Sequence, residues 1–196
     1  MGRKINTRQP HQPQMRVVGA GITEYWYLKH LKPLLGLRFE LSPRLFGNES
    51  MININKLIEE GLKTDAHVIC LFDEDIRQWN DAEAKRMDDL HQKYETNENV
   101  TLCCSMPSIE YWFLLHYENT NRHLRTSHDA TKALKKYVPQ FVKKVHFLRQ
   151  KEWVVELVEN GRTVEAIKRA KAFGRKGASY TDVWKVRTET MQKNEI

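Results

Sequence analysis

Over the first 118 residues, short apolar blocks take turns with amphipathic ones. Met15-Arg16-Val17-Val18 is an apolar run closed by Gly19-Ala20-Gly21. Thr23 is placed to cap a helix over Glu24–Leu35. Its Tyr27, Leu28, Leu31, Leu34 and Leu35 recur near the helical period, and Pro33 and Gly36 mark its end. Leu37–Leu41 alternates as a half-buried strand does, and Ser42–Asn48 reads as a loop. Met51–Gly61 reads as a helix with Ile54, Leu57 and Ile58 on one face and Gly61 as its stop. His67–Phe72 is apolar throughout, the pattern of a central strand covered on both faces, and it runs into Asp73-Glu74-Asp75. A charged surface helix over Asn80–Lys93, capped at Asn80 or Asp81, precedes a strand at Val100–Cys104. Pro107 then opens a helix over Ser108–Tyr117 that is apolar nearly all round and therefore buried.

This β-α-β-α-β-α-β-α order predicts an α/β fold with a parallel sheet of about four strands flanked by helices. Beyond residue 118 the pattern is helical, over Asp129–Tyr137, Phe147–Glu159, Thr163–Phe173 and Tyr180–Met191, with no convincing strand. The fold class expected is thus a parallel α/β sheet followed by a helical C-terminal part.

Composition changes the picture little. Forty per cent hydrophobic and 29% charged residues describe a globular chain. No apolar run approaches the ~18–20 residues of a membrane span, which argues for no membrane partner and a cytoplasmic protein. Met1–Arg16 is basic and rich in Gln and Pro, without the apolar stretch of a signal peptide. Cys70, Cys103 and Cys104 all lie in strand-like stretches and lack zinc-finger spacing, so they read as buried thiols.

Charge adds more. Met1 to Glu118 carries 14 Lys/Arg against 17 Asp/Glu, whereas Asn119 to Ile196 carries 18 against 8. An acidic half joined to a basic half suggests a metal-binding or catalytic edge beside a polyanion-binding surface. Solvated Lys-rich helices would give the same count. The candidate polyanion contacts are Lys132, Lys135, Lys136, Lys143, Lys144, Lys168, Arg169, Lys171, Arg175 and Lys176. Tyr137, Trp153, Tyr180 and Trp184 are interleaved with them, and packing between helices is the commoner fate of such aromatics. The signal says polyanion, and it does not say which one.

In an open α/β sheet, ligands sit beyond the carboxyl ends of the strands. Asp73 and Asp75 stand at such an end, two apart, and two carboxylates pointing the same way call for a cation between them. Mg²⁺ (or Mn²⁺) suits hard oxygen ligands. Asp-x-Asp alone is equally an ordinary acidic turn. Two further polar clusters share the edge. One is Gly19-Ala20-Gly21-Ile22-Thr23-Glu24, which is also readable as a tight strand-to-helix turn. The other is Ser105-Met106-Pro107-Ser108-Ile109-Glu110, where Glu110 is an acid in an apolar helix and needs a partner or a purpose. His116, at the far end of that helix, reads as a core histidine or a supporting residue.

Three stretches resemble one family: Gly-Ile-Thr-Glu-Tyr-Trp-Tyr-Leu-Lys at 21–29, Leu-Phe-Asp-Glu-Asp at 71–75 and Ser-Met-Pro-Ser-Ile-Glu-Tyr-Trp-Phe-Leu-Leu-His-Tyr at 105–117. In this order and spacing they are similar to the RloB-like proteins of bacteria. That resemblance implies a Toprim-type fold like that of topoisomerases, primases and OLD-family nucleases. It covers most of residues 15–117, and together with the composition and pattern it gives a basic flexible arm (1–14), a Toprim-like α/β domain (15–118) and a basic helical extension packed on it (119–196).

The resemblance also implies a Mg²⁺-dependent nuclease in antiphage defence, acting on RNA (tRNA included) or DNA. An ATPase often accompanies such proteins, and a homo-oligomer is compatible with them. By matching position, Asp73 and Asp75 become metal ligands, Glu24 and Glu110 join the site, Glu24 is the provisional general acid/base, and Thr23 and His116 support it. One departure matters. The family pattern ends its first strand in Glu-Gly, and this chain has Gly19-Ala20. The alternative is therefore a degenerate module that binds nucleic acid, a nucleotide or a partner ATPase without cutting.

Overall fold

The computed structural model describes residues 15–42, 50–175 and 179–192. The basic arm, most of the loop expected over Ser42–Asn48, and Lys176 lie outside these residues. Four strands run parallel: β1 (Met15–Gly19), β2 (Glu40–Leu41), β3 (His67–Asp73) and β4 (Val100–Met106). A fifth, β5 (Tyr180–Thr181), pairs antiparallel with the end of β4, giving the order β2-β1-β3-β4-β5. Between them run α1 (Ile22–Leu34), α2 (Met51–Leu62), a 3-10 turn at Asp75–Gln78, α3 (Asp81–Tyr94) and α4 (Ile109–Leu114). The C-terminal part supplies α5 (Ser127–Leu134), α6 (Val145–Leu148), α7 (Glu152–Val158), α8 (Arg162–Phe173) and α9 (Trp184–Gln192).

The pleat of β3 divides the interior in two. Val68, Cys70 and Phe72 pack with Ile54 and Ile58 of α2 and Met87 and Leu90 of α3. Ile69 and Leu71 face the opposite way, into a larger core that joins α1, α4 and the C-terminal helices. On that side the Trp112 indole N–H donates to the Tyr27 hydroxyl at 2.8 Å, a buried link between α4 and α1. All three cysteines are buried and unbridged. Among the described residues no helix is long and apolar enough to cross a membrane.

The alternating α/β order and the helical C-terminal part match the pattern reading, and the differences have physical causes. The sheet has five strands rather than about four. The two-residue β5 is too short for periodicity to signal, and it exists through its pairing, with the Ser105 and Thr181 hydroxyls 2.9 Å apart. Helix α1 begins at Ile22 with Gly21 as its extended N-cap, so Thr23 is inside the first turn and caps nothing. Gly61 does not stop α2 but lies within it, where an added Cβ would fall 2.5 Å from Val68 Cγ2. Its role is close approach of helix to sheet. The helix expected over Phe147–Glu159 is broken into α6 and α7. The Leu148 carbonyl there accepts from the ring nitrogens of Trp153 (3.3 Å) and His30 (3.0 Å), which draws it out of a helical ladder. The Asn80 cap is formed as read, its side chain accepting from the Glu83 N–H at 3.0 Å.

Candidate functional site

Three elements bring carboxylates to the carboxyl edge of the sheet. Asp73 is the last residue of β3 and faces α1 and α4, on the side of Ile69 and Leu71. Its Oδ1 accepts from the Ile109 N–H at 2.9 Å, which ties it to the start of α4. Glu110, in the first turn of α4, is 0% exposed. Its Oε2 accepts from Ser108 Oγ at 2.7 Å and from Lys143 Nζ at 2.8 Å. Its Oε1 has no hydrogen-bond partner among the described residues. Glu24, buried in the first turn of α1, folds back over Gly21, where an added Cβ would meet its Oε2 at 2.5 Å. A side chain at 21 would therefore push the Glu24 carboxylate out of the position it holds here.

Asp75 differs from the strand-based expectation. β3 ends at Asp73, and Asp75 opens the 3-10 turn, so the two do not project as neighbours on one strand face. Asp75 Oδ2 instead accepts from the Ser127 N–H at 3.3 Å, at the start of α5. Its carboxyl still joins the edge electrostatically.

The charges decide what this edge can do. Burial and then the negative charges of Glu24, Glu110 and Asp75 raise the Asp73 carboxyl well above its usual range, and Lys143 offsets only part of this. Burial also raises Asp75, against the Ser127 hydrogen bond. Burial alone would lower the Lys143 ammonium, but Glu110, Asp73 and Glu24 outweigh it and hold Lys143 above its ordinary value. Among the described residues, the edge thus carries more negative charge than Lys143 neutralises. Oxygen donors, excess negative charge and the orphaned Oε1 of Glu110 are a donor chemistry that could hold a divalent cation, though these carboxylates are not among the groups of described residues whose ligand atoms already lie within 4.8 Å of one another.

Other candidates are placed differently. Thr23 is buried beside Glu24. His116 is buried behind α4, with its Nδ1 donating to the Trp112 carbonyl at 2.9 Å. Burial lowers its pKa to about 4, so the ring is neutral. Lys132, Lys135, Lys136 and Lys144 are exposed. Lys168 pairs with Glu165 at 2.8 Å, and Lys171 lies 4.5 Å over the Trp184 ring. Arg169 Nη1 donates to the Leu115 carbonyl at 2.7 Å, and Arg175 is paired with Asp182 at 2.6 Å. Lys143 sits on the acidic edge rather than on an open basic face. Of the interleaved aromatics, Trp153 is buried and Tyr180 is bonded to Glu74, while Tyr137 is exposed and stacks on Tyr117.

A second group lies on the opposite face of the sheet. Glu74 follows the pleat toward Cys70 and Phe72 and meets His91 of α3, with Oε1 and Nε2 2.7 Å apart. Cys104 Sγ of β4 is 3.6 Å from the same Nε2. One ligand atom from each of the three lies within 4.8 Å of the others, so this group could hold a metal ion. Four conspicuous carboxylates draw a reading of the sequence to the front face. Lys143 as their counter-charge and the rear group leave no sequence signal, since 33 residues separate Lys143 from Glu110 and 17 and 13 separate His91 from Glu74 and Cys104.

A model of the RloB-like protein family matches residues 16–189. Nothing among curated proteins or solved structures matches the chain.

Proposed function

For a chain that belongs to the RloB-like family, we propose a Mg²⁺- or Mn²⁺-dependent phosphodiesterase of Toprim type, built on residues 15–118 with the basic helical extension of 119–196 packed against it. The observation that carries this reading is the negative field at Asp73, to which Glu24 of α1 and Glu110 of α4 contribute and which Lys143, paired with Glu110, offsets only in part. Asp73, Asp75 and Glu24 would hold the cation, with Glu110 supporting. When bound, the cation supplies charge stabilisation at the scissile phosphate and a more acidic water. The chain's own part is positional. The Ile109 N–H fixes Asp73, Lys143 and Ser108 fix Glu110, and Gly21 leaves room for the Glu24 carboxylate to take or return a proton. Exposed Lys132, Lys135, Lys136 and Lys144 offer contacts to the strand's phosphates. The substrate is RNA, tRNA included, or DNA, in an antiphage setting with an ATPase partner.

The test is cleavage of tRNA, other RNA and DNA by the purified chain. Cutting is expected with Mg²⁺ or Mn²⁺ and lost with EDTA and in Asp73→Ala. Activity that survives both would overturn the reading. Position 19 favours a second reading. The family pattern has a glutamate there, yet an added Cβ would lie 3.2 Å from Glu24 Cβ and 3.3 Å from the Tyr25 nitrogen. A side chain at 19 would need these neighbours to give by a few tenths of an ångström. A module that binds without cutting would show salt-sensitive nucleic-acid binding and no turnover with any divalent metal.

A further inference from the structure

We propose that Glu74, His91 and Cys104 form a second metal centre, on the opposite face of the sheet from the acidic edge, that takes a borderline-soft divalent cation of the zinc class. The donor set is one carboxylate oxygen, one imidazole nitrogen and one sulfur, which selects Zn²⁺ over Mg²⁺. The spacing agrees. Bonds of roughly 2.3 Å to sulfur and 2.0–2.1 Å to nitrogen, at a tetrahedral angle, put the two ligand atoms about 3.6 Å apart. Cys104 Sγ and His91 Nε2 are 3.6 Å apart. The Glu74 to His91 contact, at 2.7 Å, is a hydrogen bond that an entering ion would replace and widen.

The surroundings hold the ligands in place. The Tyr180 hydroxyl donates to Glu74 Oε2, leaving Oε1 to face His91. Phe72 packs against the His91 ring with centroids 5.9 Å apart. Arg77 is bonded to Asp88 and its other nitrogen lies 3.9 Å from Glu74 Oε1, a longer contact that an entering ion would displace, while Arg175 is paired with Asp182. Glu74 and Cys104 are buried, while His91 keeps 28% of its side chain exposed and gives a way in from solvent. On binding, the Cys104 thiol releases its proton to solvent and His91 presents Nε2 with its hydrogen on Nδ1. Three protein ligands leave a fourth position for water.

The consequence reaches the front face. Glu74 lies between Asp73 and Asp75, so an ion behind the sheet would clamp the tripeptide that presents the acidic edge.

Titration of the full-length protein with Co²⁺, in excess Mg²⁺ to occupy the acidic edge, tests this directly. A near-ultraviolet thiolate-to-cobalt band is expected, reaching one equivalent and erased by Zn²⁺. It should vanish in Cys104→Ser and in His91→Gln, and persist in Asp73→Asn. His91 is partly exposed, so His91→Gln keeps the test valid should Cys104→Ser fail to fold. No band in the wild type, or a band undiminished in His91→Gln, would overturn the proposal.

Discussion

Glu110 is the most deeply buried carboxylate of the acidic edge. A carboxylate with no exposed surface persists as an ion only when partners replace its lost water. Ser108 and Lys143 do so at Oε2, and Oε1 is left over. Removing Lys143 as Lys143→Met strands that charge. Because the lysine side chain is itself 37% exposed, solvent repairs part of the loss, and the expected cost is about 1–3 kcal/mol in urea unfolding. Adding Glu110→Gln to Lys143→Met should return most of it. If the two changes instead add independently, the buried pair is not what holds this corner together.

At the scale of elements, close approach matters more than capping. Gly61 lets α2 lie against β3, with Val68 where a side chain would be. Gly61→Ala forces a methyl into an occupied, close-packed site, against the small helix-propensity gain of alanine. We expect a net loss of about 1–3 kcal/mol in thermal unfolding, and an unchanged or raised melting temperature would contradict the contact.

This glycine also shows where the sequence stops being legible. A glycine near a helix end looks like a stop, and only the neighbouring strand reveals it as a contact. Three of the parallel strands and the four helices of the first half are readable because apolar runs such as His67–Phe72 advertise themselves, whereas the strand expected over Leu37–Leu41 shrinks to Glu40–Leu41. β5 is not, since two residues have no period and the strand is defined by its partner. The same holds at the site. Asp73, Glu24 and Glu110 can be named from strand ends and from an acid in an apolar helix. The turn of Asp75 into the 3-10 segment, the Lys143 counter-charge and the rear Glu74–His91–Cys104 group depend on side-chain direction and on distant pairing.

For the whole molecule, two titrating groups, His116 and Asp73, pull stability in opposite directions. His116, lowered to about 4 by burial, binds a proton more readily in the unfolded chain, whose imidazole titrates near 6.5. Stability therefore falls as pH drops from about 6.5 to about 4. The Asp73 carboxyl is raised, so between about 3.9 and its raised value the folded state binds the extra proton. Stability from this group falls as pH rises through that window, and the metal-free protein carries the strain at neutral pH. A cation bound at the acidic edge, as proposed, would remove it and so would link the site's chemistry to the stability of the whole fold.

The most direct test of the central claim is the melting temperature of the full-length protein and of Asp73→Asn at neutral pH, each with and without Mg²⁺. The side-chain carbonyl of the substituted asparagine can still accept from the Ile109 N–H, so the variant removes charge and little else. Without metal, Asp73→Asn should melt above the wild type by about 2–4 °C, the shift that roughly 1 kcal/mol produces in a chain of this size. Mg²⁺ should raise the wild type and leave the variant where it is. A variant that melts below the wild type without metal, or a Mg²⁺ effect equal in both proteins, would contradict a cation-seeking site at Asp73.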